Sequence, residues 1–257
     1  MLDERTSQIV LKTDADIEQM RVPGRMVAET LQELVEMVRP GLRLCHLDDY
    51  VEEKYERLGV HPTFKGYLGY PYSLCASVNE QIVHGFPTDR MLKDGDVLSI
   101  DLGATINGWV ADSAVTVGVG SISREAQRLL DVTRAALDAG IETARVGARK
   151  GDVGAAIQEV MEAAGYGVVR NYVGHGVGRA MHEPPSMPNY GRRGSGMLMR
   201  KGLVVALEPM ATIGNPDTVE LDDGWTVVTR DGTLAAHFEH TIAIREGQPA
   251  DVLTTWD

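Results

Sequence analysis

Two stretches of this sequence, KDGDVLSID at residues 93–101 and RKGLVVALE at residues 200–208, share one pattern of glycine, apolar run and terminal acid. The acid is Asp101 in the first stretch and Glu208 in the second, so the copies are offset by 107 positions (208 − 101). Short, nearly continuous apolar runs are typical of buried β-strands. The pair therefore predicts an internal repeat in which each copy ends a core strand with a carboxylate.

A second pair of acids extends the repeat. Asp112 and Glu239 each lie eight residues before a glycine, and their offset is 127 positions (239 − 112). The second half therefore carries about 20 extra residues between its two acids. We interpret the chain as one α+β domain over residues 1–257, built from two similar halves at about residues 14–120 and 121–247.

Hydrophobic periodicity and capping residues predict the elements that carry this repeat. The predicted helices are residues 14–40, 47–58, 123–144 and 152–164, with Asp14 and Ser123 as N-cap candidates and Gly59 as the C-cap of the second helix. The predicted strands are residues 97–102, 114–119, 168–173, 203–207, 225–229 and 237–244.

The four acids of the repeat lie in segments that are otherwise apolar: Asp101, Asp112, Glu208 and Glu239. Burying an isolated carboxylate costs several kcal/mol, and burying four together adds mutual repulsion. Each acid could have its own arginine or lysine partner, or the four could share divalent cations. A two-fold repeat favours shared cations, because pseudo-symmetry brings equivalent strands together at the axis.

One imidazole is a candidate to join these acids. His175 lies in YVGHGVG at residues 172–178, where flanking glycines allow a close backbone approach. A histidine in such a place can also be purely structural. Two Asp, two Glu and one His suit Mn, Fe, Co or Zn in a two-metal site. Two ions about 3.5–4 Å apart can share a hydroxide and polarise a carbonyl, which predicts hydrolysis.

Composition excludes several other classes of protein. The chain is 43% hydrophobic and 24% charged, which predicts a globular core. A net charge of −12 argues against general nucleic-acid binding. The apolar runs are too short to cross a membrane, and the polar, acidic first ten residues do not resemble a signal peptide. Only two cysteines are present, so we expect a cytoplasmic protein.

The motifs together resemble those of the type I methionine aminopeptidases, a family of pita-bread fold metallopeptidases. The resemblance covers essentially the whole chain. It rests on SIDLG (99–103), the strand with Asp112, GHGVGRAMHEPP (174–185), LEPM (207–210), DGWTV (223–227) and FEHT (238–241). It implies a central curved antiparallel sheet, two pseudo-symmetric halves and helices on the outer face.

The resemblance also implies roles for the acids and for His175. Asp112 and Glu239 match residues that bridge two divalent ions, and Asp101 matches a ligand of one ion. His175 and Glu208 match ligands of the other ion. This set agrees with the one reached from the repeat.

Further residues are placed in the site by the resemblance alone. His84 matches a residue that contacts the substrate near the scissile bond, and His182 one that hydrogen-bonds the substrate carbonyl. Glu208 matches the proton shuttle. The side chains placed around the substrate methionine are Phe64, Tyr67, Tyr70, Cys75, Met181 and Trp225, with His84 and His182 beside them. His46, His61 and His237 are interpreted as structural.

Two pocket residues depart from the family pattern. The family usually has phenylalanine where Met181 stands, and bacterial relatives often have a cysteine where Phe64 stands. A flexible side chain beside a bulky one can reshape the pocket or its mouth.

The spacing also indicates a branch of the family. Only 31 positions separate Glu208 from Glu239, which leaves no room for the helical insertion of type II enzymes. We also expect no N-terminal domain of the prolidase kind. The implied activity is removal of N-terminal methionine before a small second residue by a monomeric enzyme. The implied substrates are nascent chains, with the ribosome as a candidate place of encounter. The alternatives are a proline-directed aminopeptidase of the same fold and an inactive binding relative.

Overall fold

The computed structural model describes residues 8–255, so the ends of the predicted 1–257 unit lie outside the described residues. The α-helices of the described part are α1 (Asp14–Met37), α2 (Cys45–Leu58), α3 (Arg124–Thr143) and α4 (Lys150–Ala163). The first strands are β1 (His61–Pro62), β2 (Leu74–Val78), β3 (Gln81–Val83), β4 (Val97–Ile106) and β5 (Trp109–Gly118). The next are β6 (Gly167–Val168), β7 (Gly174–Gly176), β8 (Glu183–Met187), β9 (Val204–Leu207) and β10 (Met210–Thr212). The last are β11 (Thr218–Glu220), β12 (Val227–Thr229), β13 (Ala235–His237), β14 (Glu239–Ala243) and β15 (Asp251–Val252).

Capping side chains set the starts of two long helices. Before α1, the Thr13 hydroxyl accepts from the backbone N–H of Asp16, and the Asp16 carboxylate accepts from the backbone N–H of Thr13. The sequence predicted the cap one residue later. Before α3, the Ser123 hydroxyl accepts from the backbone N–H of Ala126, as predicted. Each such cap stabilises its helix by about 1 kcal/mol, since it satisfies otherwise unpaired N–H groups.

The central sheet is symmetric in its strand order. Its main path is β1-β4-β5-β14-β9-β7-β8, with β2 also paired to β4 and β15 to β14. The inner four strands pair antiparallel, and β5 of the first half lies beside β14 of the second. The remaining strands form two small sheets, β13-β10-β6 and β11-β12-β3.

The helices cover one face of this sheet. Helix α1 packs on β4 and β5, and α3 packs on β5, β9, β13 and β14. Side chains alternate along a strand, so Ile100 and Leu102 of β4 join the helix-side core while Asp101 between them lines a cavity on the other face. Full burial of one such aliphatic side chain stabilises the fold by about 1.5–3 kcal/mol. No described helix has the length and apolar character that a membrane crossing requires.

Several strands differ from the sequence-based prediction. The hairpin between β4 and β5 turns at Asn107 and Gly108, which both have positive φ angles of 52° and 71°. Asn-Gly favours this type of two-residue turn, so β5 begins early and Asp112 lies inside it rather than before it. The predicted strand at 237–244 breaks at Phe238 into β13 and β14. Of the predicted strand at 168–173 only Val168 is in a strand, because β6 pairs with β10 through Gly167 and Val168 alone.

A buried carboxylate ties α2 to the sheet. Asp48 accepts hydrogen bonds from the backbone N–H groups of Ser73 and Leu74, at 2.8 and 3.2 Å, just where β2 begins. Burial raises the pKa of Asp48 to about 6, and the charge of Glu52 adds to this rise, while the two N–H groups oppose it. Asp48 is therefore more easily protonated in the folded than in the unfolded chain.

This shift predicts a pH-dependent gain for Asp48→Asn. A raised pKa in the folded state means that the stability contributed by Asp48 falls as pH rises from the unfolded-state value of about 4 through the folded-state value near 6. Asparagine keeps an acceptor oxygen and carries no charge. We expect its free energy of unfolding to gain about 2–3 kcal/mol over the wild type between pH 4 and pH 8. Urea unfolding with a chelator at both pH values measures this, and a constant difference between the proteins would refute it.

Candidate active site

One cavity of about 170 Å³ receives every side chain that the sequence placed in the site. They are Phe64, Tyr67, Tyr70, Cys75, His84, Asp101, Asp112, His175, Met181, His182, Glu208, Trp225 and Glu239. Sequence reasoning missed one lining residue, Leu68, whose side chain is 80% exposed at the surface. The signal for it was its place between the two predicted tyrosines in GYLGY (66–70).

The sheet order explains why distant acids meet. Asp101 lies on β4, Asp112 on β5, Glu239 at the start of β14, Glu208 directly after β9 and His175 on β7. These five strands are consecutive neighbours in the sheet. A row of side chains on one face of adjacent strands therefore forms a single cluster, with strands about 4.8 Å apart.

The distances within this cluster are those of a metal centre. One ligand atom from each of Asp112, His175 and Glu239 can be chosen so that all three lie within 4.8 Å of one another. His175 Nε2 is 3.8 Å from Asp112 Oδ2 and 3.7 Å from Glu208 Oε1. The carboxyl groups of Asp101 and Asp112 also contact each other. All five side chains thus face a common volume.

Glycines allow His175 to reach the cluster. A Cβ atom on Gly174 would collide with the carbonyl oxygen of Ala206 on β9, and one on Gly176 with that of Pro184 on β8. These are the close backbone approaches that the sequence predicted. His175 Nδ1 lies 2.9 Å from the carbonyl oxygen of Gly176, so Nδ1 carries the proton that it donates. Nε2 is then left with the lone pair that a metal ligand needs.

Burial without a cation dominates the electrostatics of the cluster. It raises the pKa of Asp101 to about 7 and that of Glu208 to about 8, the latter helped by the charge of Asp101. The pKa values of Asp112 and Glu239 lie well above their usual range, first because of burial and then because of the neighbouring carboxylates. Burial lowers the pKa of His175 to about 3, so this ring is neutral.

The unpaired oxygens show that the cluster fits divalent cations. Within residues 8–255, Asp101 Oδ1, Asp112 Oδ1 and Glu239 Oε1 are buried and have no hydrogen-bond partner. No arginine or lysine of the described chain is among the groups that shift the pKa values of these acids or of Glu208. The alternative of a separate basic partner for each acid is therefore wrong. Carboxylate oxygens with one imidazole nitrogen form a donor set that divalent transition metals accept.

Two further histidines border the cluster. The ring centroid of His182 is 4.2 Å from that of His175, and its Nδ1 is 2.8 Å from the hydroxyl oxygen of Tyr67. Burial lowers the pKa of His182. His84 has a left-handed backbone with φ of 59°, and burial together with the charge of His182 lowers its pKa to about 4. Both rings are neutral at pH 7.

Aromatic rings form the apolar wall of the cavity around Tyr70. The centroid of its ring lies 5.0 Å from that of Trp225 and 6.5 Å from that of Phe64, both edge to face. The Tyr70 hydroxyl lies 3.1 Å from the carbonyl oxygen of Leu74. Phe64 packs where Gly103 has no side chain, since a Cβ there would lie 2.9 Å from its ring. Edge-to-face pairs of this kind each stabilise the wall by about 0.5–1.5 kcal/mol.

The two departures from the family pattern both lie in this wall. Met181 and Phe64 are 7% and 6% exposed and belong to one apolar cluster with Tyr70 and Cys75. Burial raises the pKa of the Cys75 thiol well above its usual value, so this cysteine is an uncharged wall residue.

His237 was interpreted from sequence as structural, and it lies next to the cluster. Its Nε2 is 3.7 Å from Glu239 Oε2 and has no hydrogen-bond partner in the described part of the chain. The two residues flank the break at Phe238, which brings both side chains to the same face. The signal for this contact was the spacing of two residues within the predicted strand 237–244, since residues i and i+2 of a strand share a face.

The site geometry gives the class of protein, and comparison with known proteins gives its family. A buried cluster of carboxylates and histidine beside an apolar cavity, on a symmetric α+β sheet, defines a metal-dependent hydrolase. The family described as metallopeptidase family M24 matches residues 18–246. The chain belongs to that family, and within it to the methionine aminopeptidases of the bacterial type. The family requires divalent metal, which agrees with the donor set described above.

Two relatives support the assignment to the methionine aminopeptidases of the bacterial type. A methionine aminopeptidase from Clostridium perfringens is 48% identical over 246 residues, covering 96% of this chain and 98% of its own. The crystal structure of a methionine aminopeptidase from Thermotoga maritima superposes with a TM-score of 0.94 at 45% identity, covering 97% of this chain and all of that one.

A more distant structure supports the fold alone. The prolidase from Pyrococcus furiosus gives a TM-score of 0.78 at 21% identity, covering 96% of this chain and 66% of that one. Methionine aminopeptidases and prolidases share the pita-bread architecture, so the predicted α+β pita-bread fold is confirmed.

Proposed function

We propose that this protein hydrolyses the peptide bond after an N-terminal methionine when the second residue is small. The single observation that carries the proposal is the cavity itself. It joins a row of unpaired, buried carboxylates to a wall of aromatic and thioether side chains, in a chain 48% identical to a methionine aminopeptidase. Such a wall suits a long, polarizable thioether side chain.

We propose that the cluster holds two divalent ions, with Co, Mn, Fe and Zn as candidates. The residues that would hold them are Asp101, Asp112, His175, Glu208 and Glu239, which all line the cavity. The close approach of His175 Nε2 to Glu208 and Asp112 supports this grouping. Bound ions would act as Lewis acids toward the peptide carbonyl and would lower the pKa of a water molecule.

The protein side chains supply proton transfer and orientation. Glu208 would take a proton from the attacking water and return it to the leaving amine nitrogen. Its carboxyl group lines the cavity beside His175, where it can reach both a water molecule and the leaving nitrogen. His182 would donate an N–H to the substrate carbonyl oxygen as negative charge develops on it, and His84 would contact the peptide beside the scissile bond.

The methionine side chain would lie against the apolar wall, whose members are Phe64, Tyr67, Tyr70, Cys75, Met181 and Trp225. All six carry an aromatic ring, a thioether or a thiol, and all six pack in one apolar cluster, in which Tyr67 and Trp225 are partly buried and the other four are buried. Exclusion of water from that wall would favour an apolar side chain by roughly 25 cal/mol per Å² buried.

We also propose that the chain is one catalytic domain of two pseudo-symmetric halves. It would act as a cytoplasmic monomer on nascent chains, which it would meet at the ribosome. The symmetric strand order supports the two halves. Two unpaired cysteines support a reducing compartment.

Release of methionine from the peptide Met-Ala-Ser, measured in Mn, Fe, Co and Zn, tests the proposed function. We expect activity in at least one metal and a loss of 100-fold or more in His175→Ala, since one metal ligand is removed. Equal activity of this variant and the wild type in every metal would contradict the role of His175.

The same assay separates the remaining alternatives. Comparison of Met-Ala with Xaa-Pro peptides distinguishes a proline-directed enzyme, and the apolar wall predicts preference for Met-Ala. An inactive relative would bind no metal, whereas all five candidate ligands face the cavity here.

A further inference from the structure

We infer that Tyr67 is a positioning residue: its hydroxyl holds the His182 imidazole in the tautomer that carries its proton on Nε2. The sequence placed Tyr67 only in the methionine pocket. The inference rests on the proposed function, because it assigns a task to the donor that would face the substrate carbonyl.

The contact between the two side chains is short and well defined. The Tyr67 hydroxyl oxygen is 2.8 Å from His182 Nδ1, and the ring centroids are 5.4 Å apart with an interplanar angle of 31°. Both side chains line the cavity. An imidazole bonded at Nδ1 has only Nε2 left for a substrate.

The chemistry of the pair sets the direction of this hydrogen bond. A phenol O–H is a stronger donor than a neutral imidazole N–H, and an imidazole nitrogen is a stronger acceptor than a phenol oxygen. Burial raises the pKa of Tyr67, so its hydroxyl keeps the proton that it donates. A neutral imidazole that accepts at Nδ1 carries its single proton on Nε2.

A tight turn aims Tyr67 at His182. Gly66, Leu68 and Gly69 all have positive φ angles, of 85°, 50° and 91°. Leu68 is not a residue that adopts this region freely, so the surrounding backbone must hold it there. Backbone hydrogen bonds close the turn, from Gly66 N–H to the Tyr70 carbonyl at 2.7 Å and from Tyr70 N–H to the Tyr67 carbonyl at 2.9 Å. The turn therefore presents Tyr67 in a fixed direction.

The tautomer matters because of the charge that develops during hydrolysis. An Nε2–H would stabilise negative charge on the substrate carbonyl oxygen, whereas an Nε2 lone pair would repel it. Loss of a whole donor of this type costs 10²–10³-fold in kcat elsewhere. Without the Tyr67 hydroxyl, part of the His182 side chains still carry the proton on Nε2 and can donate it to the substrate. The expected loss in kcat is therefore smaller than that for removal of the donor.

Tyr67→Phe tests the inference, since it keeps the ring and removes only the hydroxyl. We expect kcat for Met-Ala-Ser to fall about 5- to 30-fold with KM changed less than about threefold. Tyr72→Phe is the matched control. Tyr72 packs on Tyr70 and Phe86 outside the cavity lining, and we expect its loss of hydroxyl to leave kcat unchanged.

The second readout needs no activity. Imidazole ¹⁵N spectra of the metal-free protein, with the His182 signals assigned by His182→Ala, report the tautomer directly. We expect Nε2–H in the wild type and a mixture of tautomers in Tyr67→Phe. An Nδ1–H tautomer in the wild type, or an unchanged tautomer in the variant, would overturn the inference. So would a change in KM alone, which would mean that Tyr67 is only a wall residue.

Failure of the proposed function would look different from failure of the inference. A wild type that releases no methionine in any metal refutes the proposed activity, while the ¹⁵N spectra still test the tautomer. An active wild type with an unchanged tautomer in the variant refutes the inference alone.

Discussion

Asp112→Asn is expected to lower kcat/KM for Met-Ala-Ser by at least about 10³-fold, equivalent to about 4 kcal/mol of transition-state stabilisation. Asp112 lies at the centre of the cluster, close to His175 and in contact with Asp101. An amide in its place offers a weaker, uncharged ligand. Steady-state kinetics with saturating metal measure the loss.

We expect Asp112→Asn to fold like the wild type, so that a loss of activity reports on the metal site. The backbone N–H and carbonyl of Asp112 are both bonded to the Thr241 hydroxyl, and the side chain takes no part in these bonds. Asp48→Asn is the matched control, because it makes the same change at another buried aspartate outside the cavity. We expect its activity to stay within about twofold of the wild type. Activity of Asp112→Asn within tenfold of the wild type would remove Asp112 from the metal centre.

Glu239→Gln is expected to stabilise the metal-free protein while abolishing its response to metal. The pKa of Glu239 is raised by burial and by the neighbouring carboxylates, so the stability that it contributes falls as pH rises above its usual value. At pH 8 the wild type must either bury this charge without a basic partner or take up a proton on folding, and glutamine removes both costs. We expect a gain of about 1–3 kcal/mol in the free energy of unfolding at pH 8, and little change at pH 4.

With metal bound, the wild type is expected to be more stable than Glu239→Gln. A metal ion that binds only the folded wild type adds about 3–4 kcal/mol at 100 to 1,000 times its Kd. Glu239→Gln should lose most of that increment, whereas Asp48→Asn should keep it. Denaturant unfolding with chelator and with a metal series measures both effects. A metal-free Glu239→Gln protein less stable than the wild type at pH 8 would show that this carboxylate is satisfied by protein groups.

The elements with strong local signals followed directly from the sequence. Helix α2 ends at Gly59, whose φ of 67° is the left-handed cap that the glycine predicted. Helix α3 begins after Ser123 as predicted. Boundaries that depend on pairing were less accurate, and β5 begins at Trp109 because its partner β4 continues to Ile106. A strand's length is set by the neighbour that satisfies its backbone groups, which the strand's own sequence does not encode.

The candidate site also contains some features that the sequence predicted and others that it did not. The meeting of the four acids at one cavity could be predicted, because burying them together is costly unless they share cations, and equivalent strands of a repeat meet at its axis. Leu68 and His237 were missed although each had a local signal, the first beside two pocket tyrosines and the second two positions before Glu239, because such neighbours are equally common in purely structural positions.

The sequence by itself indicated the chemistry. The repeat predicted four acids at one buried site, because burying charge and aligning repeats constrain every fold that the chain could adopt. The resemblance of the motifs to a known family added the apolar pocket. Only the tertiary structure decided orientation. The bond from Tyr67 to His182 joins residues 115 positions apart through a strained turn, and the lone pair of His175 depends on a carbonyl beside it. Such directions are fixed by packing and by three-dimensional hydrogen-bond geometry, which no spacing along the chain records.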